Sequence, residues 1–232
     1  MSMRNICIIF KKQLKDTLKN KTILIQFILF PLMTVVMENS IQLEGMAEHF
    51  FAKLFSIMYI GMAPLAAVSS IISEEKEKNT LRVLIMANVK PWQYLMGIGL
   101  YVWSICMLGA GVIGLATAFN HEQFIFFMSV MGLGFMISIL AGAAVGILAH
   151  NQMMATSVVM PMMMVLSFLP MISMFNEKVE KVAKITYTGQ LREILYNMSW
   201  DLILNNSIVV IGINAICFLA LFTIAYRKNG LE

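Results

Sequence analysis

Charge is the scarcest feature of this 232-residue chain. Lys, Arg, Asp and Glu together make up 13% of it, against 59% hydrophobic residues, with a mean hydropathy of +0.78. Soluble domains carry about 25% charged residues, so the balance points to a membrane protein. Cysteine is nearly absent: Cys7, Cys106 and Cys217 are scattered, and no disulfide framework or metal-ligand spacing appears. No G-x-x-x-x-G-K-[ST] phosphate loop is present, so this chain is not expected to hydrolyse ATP itself. The apolar stretches hold no Asp, Glu, Lys or Arg. That removes the charged filter of an ion channel and the relay of an ion-coupled transporter. The first twenty residues are charged and amphipathic, unlike a cleavable signal with a short apolar core.

What is abundant is long apolar sequence. Charge-free gaps run over 22–37, 54–73, 91–121, 123–176 and 202–226. A span takes about 20 residues. The gap 123–176 would make a helix about 80 Å long, far beyond a hydrocarbon core of about 30 Å. It divides at His150, Asn151 and Gln152, giving six expected spans: 22–38, 54–72, 92–118, 124–148, 153–174 and 207–226. The expected fold is an all-α integral membrane protein, a single permease-like domain over residues 1–232. Six spans place both termini on one side. That side holds Arg4, Lys11, Lys12, Lys15, Lys19, Lys21, Lys76, Lys78, Arg82, Lys90, Arg227 and Lys228, twelve of the 17 basic residues. The bias makes both termini cytoplasmic, in the cell membrane. The net charge of +4 then reflects topology and anionic lipid and calls for no nucleic acid.

Outside the spans, residues 3–20 carry Ile6, Ile9, Phe10, Leu14 and Leu18 at helical spacing, with lysines on other faces. This predicts an interfacial helix on the inner leaflet. Residues 176–206 predict two short amphipathic helices broken at Gly189, with Tyr196 and Trp200 suited to the interface. They form an external hairpin, on the outer surface or dipping into the bilayer. Ser138, Gly142 and Gly146 lie four apart, a pattern for close helix packing. Pro31, Pro64, Pro161 and Pro170 fall inside spans, where each favours a kink.

Seven charged side chains crowd into residues 73–90: Glu74, Glu75, Lys76, Glu77, Lys78, Arg82 and Lys90. Burying them in lipid would cost on the order of 20 kcal/mol, so the segment is expected in water on the cytoplasmic side. Glu74 and Lys78 pair at i,i+4. Leu81, Leu84 and Ile85 then form an apolar ridge that calls for a docking partner. Pro91 restarts the chain, and Trp92 and Tyr94 mark the interface. The stretch "EEKEKNTLRVLIMANVKP" (74–91) resembles the E-[KR]-E-[KR]-G-T-L pattern of the permease subunits of type-2 ABC exporters. The flat first helix, six spans and broken hairpin resemble that family too. The resemblance implies a coupling helix within 73–90 that fits a cleft in a separate ATP-binding cassette subunit, where ATP and Mg would reside; no cofactor is implied in this chain. Glu74, Glu75, Lys76, Glu77 and Lys78 would form its polar shoulder, and Thr80, Leu81, Val83 and Leu84 its apolar contact. A second permease copy, identical or homologous, is implied. Two positions depart from the pattern: Asn79 replaces glycine, and Arg82 an acidic residue. Asn tolerates left-handed backbone, so the turn is expected to survive.

Methionine is the other abundance, 22 residues with a cluster at 153–164. Thioethers suit Cu(I), which makes copper handling through Met160, Met163 and Met164 one reading. Methionine is also an adaptable apolar filler for bulky cargo. With the kinks, Pro31, Pro64, Met160, Pro161 and Met164 are the expected substrate path for an amphipathic or hydrophobic peptide, drug or lipid. The rival reading is an intramembrane hydrolase using Glu74 and Glu75 with His121 and His150, which the topology places on opposite sides.

Overall fold

The computed structural model describes residues 2–19, 21–41, 48–86, 89–199 and 207–228. Helices account for nearly all of them: α1 (Ser2–Lys19), α2 (Lys21–Ser40), α3 (Phe50–Glu77), α4 (Thr80–Met86), α5 (Pro91–Ala116), α6 (His121–Leu148), α7 (Gln152–Ile172), α8 (Glu177–Ala183), α9 (Tyr187–Asn197) and α10 (Ile208–Lys228). No strand occurs among the described residues. Five helices, α3, α5, α6, α7 and α10, are long and apolar enough to cross a membrane; α2 contributes the shorter apolar stretch Leu24–Ser40.

Helix α3 is the axis of the bundle. It packs against α2, α5, α6, α7 and α9. Of its apolar window 78% lies inside the protein, against 17% for α10, which leans chiefly on α6. Small side chains explain the difference. A Cβ added at Gly142 of α6 would fall 2.5 Å from the Leu65 carbonyl oxygen, and one at Gly146 would fall 3.1 Å from that of Ser69. The two backbones meet where the sequence spaces its small residues by four. Ser138, in the same row, bonds the Ile60 carbonyl at 2.6 Å and the Tyr187 hydroxyl at 2.8 Å, so this buried hydroxyl is satisfied. Along α10, by contrast, Ile213, Ile216 and Ile224 all face outward, as on a surface solvated by acyl chains.

The predicted division of the 54-residue apolar gap is where the chain turns, between Leu148 and Gln152. One expectation needs correction. The break in the outer segment falls at 184–186, not at Gly189. Thr186 caps α9 by accepting from the Gly189 amide at 3.1 Å, and a side chain at Gly189 would collide with the Ala183 carbonyl. The glycine is therefore required by the close approach of the two short helices and does not interrupt one. Of the two placements expected for the hairpin, the surface one does not describe α9. Tyr187, Leu191, Ile194 and Leu195 are buried, packed among α3, α6 and α7. Trp200 lies outside the described residues, as do the side chains of Arg82 and Ile85.

Helix α1 turns Ile9, Gln13 and Thr17 into the bundle, one face at i, i+4, i+8. It sits on α5, where Gly97 makes room for Ile9 and Phe10 meets Tyr101 edge-on at 5.7 Å.

Candidate functional site: the inner end of α3

The charged stretch begins inside α3, not after it. The helix continues through Glu77 because its polar residues find partners on four neighbouring helices. Glu75 is the centre. Its carboxylate accepts from Lys12 Nζ at 2.5 Å, Gln13 Nε2 at 2.7 Å and the Tyr94 hydroxyl at 2.6 Å. One buried carboxylate, 6% exposed, thereby joins α1, α3 and α5 with charge-assisted bonds. Next to it, Lys76 Nζ donates to the Ile147 and Ala149 carbonyls, at 2.5 and 2.8 Å. Those oxygens terminate α6, where a cation both caps and complements the helix dipole. On the following residue, Glu77 accepts the Gln152 amide at 2.9 Å, placing an anion at the first turn of α7. Glu74 pairs with Lys78 at 2.5 Å and reaches Gln152 Nε2 at 3.5 Å.

The four residues "EEKE" are thus a junction. Glu75 reaches α1 and α5, Lys76 the end of α6, and Glu74 and Glu77 both reach Gln152 of α7, so together they fasten four helices to the end of α3. This corrects the expectation of a wholly solvated segment: Glu75 is enclosed and Lys76 half-enclosed, because both are matched inside the chain. Tyr94 is likewise no interface marker but a buried donor to Glu75; Trp92 is half exposed. The contacts of Lys12, Gln13 and Tyr94 to Glu75 span 63, 62 and 19 residues, a separation at which no local pattern announces them.

Past the junction the chain turns at Lys78–Asn79. Asn79 has φ 57°, the left-handed conformation that glycine and asparagine adopt most readily. The substitution of Asn for Gly in the motif is compatible with the turn. The Thr80 hydroxyl donates to the Glu75 carbonyl at 3.0 Å and ties α4 back. On α4, Leu81 points inward, 2% exposed, and Leu84 is partly buried against the core; Val83 and Met86 point out, 63% and 73% exposed. Leu81 therefore anchors α4 and is not available as a contact. Met86, which the sequence reading passed over, joins Val83 on the free face. Among the described charged side chains of this segment, Glu77, Lys78 and Lys90 are exposed and Glu74 and Lys76 partly so. Outside the bundle, the Glu74 carboxylate raises the Lys78 ammonium above its ordinary value by hydrogen bonding and attraction.

The expected substrate path is not gathered into one place. Met160 lines a groove of about 670 Å³ between α2, α3 and the first half of α7, together with Gln26, Ser69, Ser70, Gln152 and Met163. Pro31 lines a separate hollow of about 350 Å³ against Ile105 and Gly109 of α5. Pro64 is buried within α3, while Pro161 and Met164 are exposed on α7 and line neither. The residues of the hydrolase reading stay apart. His121 begins α6 and His150 follows its end, about 40 Å away at 1.5 Å per residue. The Glu75 carboxylate is occupied by three donors. Among the described residues, no group of three His, Cys, Asp or Glu is placed to hold a metal ion.

A helical bundle with five helices long and apolar enough to cross a membrane, and a charged junction at one end of α3, is the architecture of a multi-pass membrane protein. Residues 3–227 match the family described as ABC-2 family transporter protein, and the chain belongs to that family. No curated protein matches it.

Proposed function

We propose that the chain is the permease subunit of an ATP-driven exporter. In this reading α2, α3, α5, α6, α7 and α10 are six spans, α1 lies along the inner leaflet, and both termini are cytoplasmic in the cell membrane. A separate ATP-binding cassette subunit docks on α4, and two permeases, identical or homologous, work as a pair. The observation that carries the reading is the arrangement around Asn79: four matched charges above the turn, and the apolar residues Val83 and Met86 free below it. A lone apolar pair on a short helix has no internal use, whereas a cleft in a motor subunit would cover it.

The junction suggests how a push becomes a movement. Force on α4 reaches α3 through the Thr80–Glu75 bond and buried Leu81, then α1, α5, α6 and α7 through Glu75, Lys76 and Glu77. Helices fastened at one end move together as a body, the requirement for rocking between inward- and outward-open states. The cargo is an amphipathic or hydrophobic peptide, drug or lipid, carried outward.

The test is co-purification of the tagged chain with an ATPase in mild detergent. Val83→Asp combined with Met86→Asp is expected to reduce the bound ATPase at least tenfold with unchanged thermal stability, because both side chains are already in solvent. Leu81→Asp serves as the contrast: it places a charge in the core and lowers stability first. Wild-type ATPase levels in the double variant would reject α4 as the docking element.

A further inference from the structure

The groove between α2, α3 and α7 differs from the rest of the apolar interior in its polar atoms. Ser69 is 1% exposed and lines the groove, and its Oγ has no hydrogen-bond partner. The same is true of Gln26 Oε1, a buried acceptor on the facing helix. Beside them, Gln152 Nε2 spans to Ser70 Oγ at a long 3.3 Å. A polar atom enclosed in this way without a partner is destabilising, and both belong to residues that line one groove, so a ligand whose polar end displaced the groove wall to reach them would relieve that cost. Among the described residues lining the groove none is charged. The two carboxylates bonded to Gln152 are both engaged, Glu74 by Lys78 and Glu77 by the Gln152 amide. A carboxylate or phosphate would meet an acceptor, Gln26 Oε1, with no cation to neutralise it; an ammonium would lack a free counter-charge. The opposite wall is Met160 and Met163, thioether chains that adapt to apolar bodies of different shape.

We infer that this groove receives an uncharged amphiphile whose polar end offers a hydrogen-bond donor and acceptor side by side, as an amide does, and whose body is apolar. Gln26 Oε1 takes the donor, the Ser69 hydroxyl serves the acceptor, and the methionines cover the body. The inference rests on the permease reading and narrows its cargo from peptides, drugs and lipids at large to neutral, amide-bearing molecules.

The probe is dansyl-leucyl-leucinamide, compared with its free acid. Binding is followed by dansyl fluorescence on the full chain in phosphatidylcholine nanodiscs, with empty nanodiscs subtracted. The amide is expected to bind saturably, and the acid at least tenfold more weakly. Gln26→Leu and Ser69→Ala are each expected to weaken amide binding about five- to tenfold, with thermal unfolding checked for both. Should Ser69→Ala fail to fold, Gln26→Leu and the amide–acid comparison decide. Equal binding of acid and amide, or wild-type affinity in the folded variants, overturns the inference. So does displacement of the probe by a neutral sugar-headed lipid at concentrations where added amide has no effect, which would make the groove a lipid site. Co-purification of the ATPase is an independent readout. An ATPase retained without amide binding rejects the groove assignment alone, whereas loss of the ATPase partnership rejects the permease reading itself.

Discussion

The two ends of α3 each bury a charge, and they treat it differently. At the inner end Glu75 is held by three donors within 2.7 Å, from two other helices. At the outer end Lys53, 9% exposed, reaches the Tyr196 carbonyl at 3.4 Å and lies 5.6 Å from the Tyr196 ring centroid. The first is a saturated site with short bonds; the second is a long bond, a cation–π contact with α9 and the longer-range attraction of Glu38 and Glu48. A buried charge is stable only when its lost hydration is replaced, and the inner end replaces far more of it. The contrast assigns rigidity to the end that meets α4 and compliance to the end that meets α9. The proposed mechanism, a push on α4 and an opening at the far end, calls for that asymmetry.

The sharpest way to break the comparison is Glu75→Ala. It strands the Lys12 charge, Gln13 and the Tyr94 hydroxyl together. Breaking a fully buried pair costs about 3–5 kcal/mol. Because the Lys12 side chain is 37% exposed and regains some hydration, about 2–3 kcal/mol is expected here. Denaturant unfolding in detergent measures it, and limited proteolysis should show α1 released from α5. A loss below about 1 kcal/mol, within the range of an ordinary surface pair, would mean that the junction does not fasten these helices.

The same contrast shows what could be read beforehand. Five of the six expected spans, their order and the turn at His150–Gln152 were legible because long apolar runs and their breaks are local properties of the sequence; the stretch expected at 22–38 forms a helix whose apolar part, Leu24–Ser40, is shorter. The i,i+4 pair Glu74–Lys78 and the left-handed Asn79 were legible for the same reason: both are settled within five residues. What Glu75 and Lys76 do was not. A carboxylate in a dense charge cluster looks solvated until Gln13 and Tyr94 arrive from distant segments. Burial there is a property of the assembled bundle, as is the inward turn of Leu81. Gly189 misled in another way. Glycine marks breaks and close approaches alike, and the neighbouring Ala183 carbonyl, which decides between them, comes from the preceding helix. The groove was half visible through Met160 and Met163. Its polar side was not, since Gln26 and Ser69 look ordinary in a chain with many small polar residues.

A milder test addresses the outer end. Lys53→Met keeps the length of the side chain and removes the charge. With a 3.4 Å bond, a ring contact and the longer-range attraction of Glu38 and Glu48 to lose, against a desolvated ammonium to relieve, stability should stay within about 1 kcal/mol of wild type, in either direction. If Lys53→Met proved as damaging as Glu75→Ala, the two ends would be equally fixed and the proposed asymmetry would fall. The ratio of the two losses, measured under one set of conditions, is more informative than either alone.

The smallest expected effect lies at the outer helices themselves. Lys184 pairs with Glu180 at 2.8 Å and approaches Glu193 of α9 at 3.6 Å. Its hydrogen bond to Glu180, with attraction from Glu193 and Glu180, raises the Lys184 ammonium above its ordinary value; the same Lys184 bond holds the Glu180 carboxyl below the usual carboxylate range. A raised lysine contributes stability that is complete below its unfolded pKa and is lost as pH rises through the folded value. A lowered carboxyl contributes stability that is present above its unfolded pKa and is lost as pH falls through the folded value. The pair therefore acts across the whole neutral range and fails in strong acid and strong base. Both groups are solvent-accessible, so screening keeps the contribution small. Thermal unfolding of Lys184→Met should differ from wild type barely, if at all, at neutral pH, and the difference should vanish in acid and in molar salt. A large, salt-resistant loss would show that α8 is clamped to α9 as firmly as α1 is to α5, and the outer end would then be no more compliant than the inner one.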